Sequence, residues 1–138
     1  MLVWRLLPAL IWAFIIMLLT GLPGSYFPTI VSFWDWLSPD KIVHVFIFLV
    51  QTFLVLMAFD KQYLTGNTRL LIIWLIVTII TIFALLTEVL QAYVFIGRNG
   101  SIYDFIADFA GVLVGLVVFN LYKRKKFDKL IKSIRRIY

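Results

Sequence analysis

The sequence predicts an all-α membrane protein with four transmembrane helices in a compact bundle, and three observations predict it. Hydrophobic residues make up 63% of the 138 and charged residues 14%, with a mean hydropathy of +1.01; a soluble domain does not have this balance. Four apolar runs are long enough to cross a hydrocarbon core of roughly 30 Å at about 1.5 Å per residue. The 13 Lys and Arg residues fall almost entirely on one set of connections. The chain has no cysteine and a single histidine, which excludes disulfides, thiolate nucleophiles and a histidine-rich metal site.

The first run, Leu6–Leu22, follows Arg5 as a signal peptide would, but no small-x-small cleavage site precedes Gly21 or Gly24. It is expected to stay as an anchor helix. The second, Ile42–Phe59, is opened by Ser38-Pro39-Asp40, which pairs an N-cap residue with a first-turn proline and an acid suited to a helix N-terminus. The third, Leu70–Ile96, is apolar throughout except near its far end, where Glu88 and Gln91 appear before Gly97 and Arg98. The fourth, Ile102–Tyr122, is opened by Ser101 and Asp104 in the S-x-x-D form of a capping box. Residues 1–122 thus make one transmembrane domain, and 123–138 a basic cytoplasmic tail.

Orientation follows from the basic residues. With both termini cytoplasmic, Arg5, Lys61, Arg69, Lys123, Arg124, Lys125, Lys126, Lys129, Lys132, Arg135 and Arg136 lie inside, and Lys41 and Arg98 lie outside. The net charge of +6 is therefore a topology signal, and no nucleic-acid partner is expected. Trp34 and Trp36 on one side, with Trp4 and Trp74 on the other, suit interfacial belts. In the tail, Phe127, Leu130, Ile131, Ile134 and Tyr138 recur at helical spacing among Lys and Arg. Such a basic amphipathic helix suits anionic lipid of the inner leaflet, although a solvated positive tail with no partner fits the same residues.

An ionisable residue inside a span marks a functional site by default, and Glu88 is one. Counted at about 1.5 Å per residue, it lies about 27 Å from Leu70, Asp108 about 21 Å from Tyr122, and His44 about 22 Å from Phe59. Asp40, Lys41, Arg98 and Asp104 fall slightly beyond, so residues distant in sequence converge on one outer layer. Each helix also gathers its polar or small residues on one face. The steps run through Asp40, His44 and Gln51, through Thr81, Ala84, Glu88 and Gln91, and through Ser101, Asp104, Asp108, Gly111 and Gly115. Gly111 and Gly115 form a G-x-x-x-G pair, which favours close helix packing.

Asp40-Lys41-x-x-His44, Glu88-x-x-Gln91, Gly97-Arg98, Ser101, Asp104, Asp108 and Gly111-x-x-x-Gly115 resemble the VanZ-like family of small bacterial membrane proteins. The resemblance spans about two thirds of the chain. Two departures stand out: many members carry proline before the arginine, where this chain has Ile96-Gly97, and asparagine at the position of Asp108. The resemblance implies a multi-pass protein of the bacterial cytoplasmic membrane. It also implies a link to teicoplanin, a glycopeptide antibiotic whose resistance phenotype named the family; that link is a phenotype and not a reaction.

The chemistry of this layer suits recognition of a lipid or a lipid-linked envelope precursor. Lys41 and Arg98 can take an anion, while Gln91 and Ser101 can hydrogen-bond a sugar or phosphate. The competing expectation is a membrane enzyme acting on a lipid headgroup, with His44 as base or nucleophile and Glu88 or Asp108 orienting or protonating. A third is a scaffold in which Glu88 pairs with Arg98 or Lys41, and His44 with Asp40, fixing helix assembly or meeting a membrane-protein partner. Asp40, His44, Glu88, Asp104 and Asp108 are donors that suit a divalent ion, but only Asp40 and His44 have a recognisable ligand spacing, and no metal or other cofactor is assigned. A proton path is disfavoured, because the inner half offers only Gln51, Thr78 and Thr81.

Overall fold

The computed structural model describes residues 2–22, 39–60, 67–95 and 100–134. Trp34, Trp36, Ser38, Lys61, Gly97, Arg98, Arg135, Arg136 and Tyr138 lie outside them. All secondary structure among the described residues is helical: α1 (Leu2–Gly21), α2 (Pro39–Phe59), α3 (Arg69–Tyr93) and α4 (Ile102–Ile134). Each contains a segment long and apolar enough to cross a membrane. The chain is a multi-pass membrane protein.

Two of the boundaries that differ from the hydropathy estimate do so for one reason: a charge ends an apolar run without ending a helix. Helix α1 begins at Leu2 and runs through Arg5, with Pro8 inside it. Proline has no N–H, so the Trp4 carbonyl loses its intrahelical donor near that end. Helix α4 continues without a break from the apolar span into the basic stretch, as far as Ile134, so no hinge separates residues 122 and 123. Helix α3 ends earlier than its apolar run, at Tyr93, where the N–H groups of Val94 and Phe95 both donate to the Leu90 carbonyl (2.9 and 3.0 Å).

The outer surface is apolar, with Trp74, Ile79, Ile82 and Leu86 of α3 all exposed. On a soluble protein this would be an aggregation surface; on a membrane bundle it is the face that meets lipid. The core is built from Ile16 of α1, Phe48 and Leu56 of α2, Ala84 of α3, and Val112 and Phe119 of α4. Helix α2 is central, touching the other three and packing most extensively on α4. Gly111 and Gly115 allow that closeness. A Cβ at Gly111 would fall on the Val45 carbonyl oxygen, and one at Gly115 would lie 2.6 Å from the Leu49 carbonyl oxygen. The missing side chains let α4 rest directly on the α2 backbone.

Threonine hydroxyls find partners within their own helices: Thr20 donates to Ile16, Thr52 to Phe48, Thr81 to Val77 and Thr87 to Ala84. Helix α1 is tied to α2 by the Trp12 indole, whose N–H donates to the Ile47 carbonyl at 2.8 Å. Trp12→Phe is expected to cost about 0.5–1 kcal/mol, the usual size of an interhelical hydrogen bond in lipid. Reversible unfolding in mixed micelles measures it, and no loss would show that the indole contributes packing alone.

Candidate functional site

The start of α2, the last turns of α3 and the start of α4 meet at one end of the bundle. Two local features place their polar groups. Proline at the first position of α2 suits a helix start, where the missing N–H costs nothing; one turn on, His44 points into the bundle and is 5% exposed. At the start of α4 the Ser101 carbonyl accepts the N–H groups of Asp104 and Phe105, both at 3.1 Å. The Ser101 N–H donates to Glu88 Oε2 on α3 at 2.9 Å. In a capping box that N–H would be taken by Asp104. Glu88 takes it instead, so the carboxylate in the third span caps the fourth helix, and Asp104 turns toward Lys41 Nζ at 3.6 Å.

His44 is the hub. Its Nδ1 lies 2.8 Å from Asp108 Oδ1 and 3.9 Å from Glu88 Oε1, and its Nε2 lies 4.0 Å from Asp40 Oδ1. Asp108 is 0% exposed and Glu88 6%, whereas the Asp40 side chain is 55% exposed and stands at the mouth of the cluster. One side of the imidazole thus faces buried carboxylates and the other faces the way out. Gly100 brings the two chain segments together here, because a Cβ on it would stand 2.6 Å from the Glu88 carbonyl oxygen.

Of the residues assigned to the site from sequence, Asp40, Lys41, His44, Glu88, Ser101, Asp104 and Asp108 meet in this cluster. Gln91 does not. It is buried, and its amide reaches the Thr20 carbonyl on α1 at 3.4 Å, so it ties α1 to α3 instead of facing the histidine. Arg98 lies outside the described residues. Gly111 and Gly115 lie below the cluster, on the α2 contact already described. The pairing expected between His44 and Asp40 is the longest of three: Asp108 is the close partner, a contact that only the α2–α4 packing creates.

A polar group at the opposite end escaped the sequence reading. Asp60, just past α2, pairs with Lys123 Nζ at 2.6 Å, and Arg69 donates to the Asn120 side chain at 3.3 Å. Each member lies near a span boundary, where charge is ordinary, so no signal in the chain marked them. They face a cavity of about 320 Å³ that Phe119, Arg124 and Phe127 also line.

Beside the cluster runs a shallow groove between α3 and α4, lined by Leu85, Val89, Ala92, Tyr93 and Phe105 together with Glu88 and Ser101. Glu88 and Ser101 reach its lining from the cluster, and the surface it opens to the surroundings is apolar. No family model, curated protein or solved structure matches the chain.

Proposed function

We propose that this is a VanZ-like protein of the bacterial cytoplasmic membrane, whose buried cluster faces outward and recognises the headgroup of a lipid or lipid-linked envelope component. The observation that carries the proposal is the contact between the cluster and the apolar groove: Glu88 and Ser101 belong to both. A headgroup reaching Glu88 leaves its chain on Leu85, Val89 and Phe105, as an amphiphile lying in the membrane requires. The outward orientation rests on the excess of Lys and Arg at the other end, where α1 begins and Lys123–Lys126 lie. The same excess supports contact between the basic end of α4 and anionic inner-leaflet lipid.

The donor set narrows the headgroup. Four carboxylates, from Asp40, Glu88, Asp104 and Asp108, stand with one lysine and one histidine. Such a cluster repels a bare phosphate and favours hydroxyl or ammonium donors, so a sugar or an amine-bearing headgroup fits best. Native mass spectrometry of the gently extracted wild type, Glu88→Gln and Arg98→Ala is expected to find one defined glycolipid or aminolipid on the wild type, lost in the Glu88 variant. Bulk phospholipid carried equally by all three would overturn the proposal. A phosphate-led headgroup would instead be lost chiefly from Arg98→Ala.

One observation favours catalysis as the second reading. The 2.8 Å contact of Nδ1 with Asp108 orients the imidazole and leaves Nε2 toward the mouth, the arrangement of a general base. Release of a headgroup by wild-type protein, abolished in His44→Asn with lipid still bound, would establish an enzyme. Binding without turnover supports recognition. Glycopeptide susceptibility follows from either reading only if the bound component takes part in wall assembly, which a comparison of teicoplanin sensitivity with and without the protein tests.

A further inference from the structure

Glu88 Oε1 and Asp108 Oδ2 are buried and accept no hydrogen bond among the described residues. Glu88 is 6% exposed and Asp108 0%, so bulk water does not supply the missing donors. Carboxylate oxygens left bare in a low-dielectric interior are costly and call for a partner. His44 Nδ1 carries at most one proton and already stands 2.8 Å from Asp108 Oδ1; it cannot also serve Glu88, 3.9 Å away. Among the described residues, carboxylate oxygens outnumber the cationic groups of the cluster, Lys41 and His44.

The geometry of the three side chains suits a cation. One donor atom from each of His44, Glu88 and Asp108 lies within 4.8 Å of the others. Ligands bound about 2.1–2.2 Å from a shared ion stand at most about 4.4 Å apart, so rotamer shifts of a few tenths of an ångström close the set. One imidazole with two carboxylates is a mixed nitrogen and oxygen field, better suited to Mn²⁺ or Zn²⁺ than to Mg²⁺ or Ca²⁺. A way in exists: Asp40 and Asp104 form a second acidic group with His44, and Asp40 is exposed at the mouth.

We propose that His44, Glu88 and Asp108 hold one divalent cation of Mn²⁺ or Zn²⁺ character, taken up past Asp40 and Asp104. From sequence these donors are weighed for a divalent ion and no metal is assigned, because residues 44, 88 and 108 lie on three helices and share no ligand spacing. The inference stands on the geometry of the cluster and does not require that a headgroup binds there.

The test uses the full chain in detergent, stripped with chelator and titrated with Mn²⁺, bound ion being read from loss of the free-ion EPR signal. Wild type is expected to take up one Mn²⁺ per chain and to release protons as it does so. Glu88→Gln and Asp108→Asn are expected to lose at least roughly a hundredfold in affinity, beyond what a merely supporting partner costs. Asp128→Asn, on the exposed basic stretch of α4, is expected to bind as wild type does. Should a buried variant fail to fold, wild type alone still decides, because a specific ion raises its melting temperature. A wild type that neither binds Mn²⁺ nor shifts its melting overturns the site, as does uptake that all variants share. Lipid is assayed on the same samples, so bound lipid without metal overturns the cation alone, and metal without lipid overturns the headgroup proposal alone.

Discussion

Replacing Gly111 or Gly115 by alanine is expected to destabilise the bundle by about 1–3 kcal/mol each, the cost of overpacking a close contact. The sign is not obvious, because alanine in a helix interior is worth about 1 kcal/mol over glycine. Sterics decide it. A Cβ at Gly111 meets the Val45 carbonyl oxygen and stands 3.1 Å from Phe48 Cβ; at Gly115 it stands 2.6 Å from the Leu49 carbonyl oxygen and 2.8 Å from Thr52 Cβ. The nearest atoms are backbone, which no rotamer change can move, so α4 must shift away from α2.

That shift reaches the cluster, because Asp108 lies three residues before Gly111 and meets His44 on α2. Loss of stability should therefore bring loss of ligand retention. Gly21→Ala is the control. Among the described residues the nearest atoms to its Cβ would be those of the Phe95 ring, at an ordinary 3.5 Å, and a change within about 0.5 kcal/mol is expected. Unfolding in mixed micelles measures all three. Glycine variants as stable as wild type would mean that the α2–α4 contact is looser than described.

How much of this was legible in the sequence depends on what each feature needs. The four helices needed only hydropathy and length, both local properties, so their existence and approximate extent could be read directly. Their ends were harder. Arg5 and the lysines after Tyr122 end an apolar run, yet helices α1 and α4 pass through them, because helix formation depends on backbone hydrogen bonds and membrane insertion on side-chain transfer. Convergence of Asp40, His44, Glu88, Asp104 and Asp108 on one layer was legible too, since rise per residue fixes depth along a helix.

Pairing within that layer was not. Depth says nothing about rotation, and a helix rotated by one residue turns through about 100°. Gln91 shares a face with Glu88 by spacing, yet it contacts α1, because α3 borders α1 as well as α2 and α4. Asp108 rather than Asp40 takes the close contact with His44 because Gly111 and Gly115 draw α4 onto α2. Ser101 and Asp104 fit a local capping box, but the carboxylate of Glu88, already brought to the end of α3, wins the same N–H. In each case a tertiary contact displaced a local one.

The second large effect is expected at the pair that holds the cluster. Asp108→Ala is expected to cost about 2–3 kcal/mol, since it removes the one close partner that a buried imidazole has among the described residues and leaves a cavity beside it. Soluble proteins lose about 3–5 kcal/mol when one member of a buried pair is deleted. Membrane proteins lose less, because the unfolded chain in lipid also finds partners for its polar groups. His44→Ala should cost a similar amount, for it strands Asp108 in turn.

The double variant distinguishes a working pair from two independent buried groups. Once both members are gone, nothing is stranded, so the combined loss should fall short of the sum by about 1–2 kcal/mol. Strict additivity would show that the 2.8 Å contact contributes nothing as a pair. Asp108→Asn sharpens the result, since the amide keeps the volume and one acceptor while removing the charge. It should recover most of the stability lost in Asp108→Ala. Recovered stability with ligand or metal uptake still absent would mean that the charge of Asp108 serves the site, whereas recovery of both would make it a packing residue.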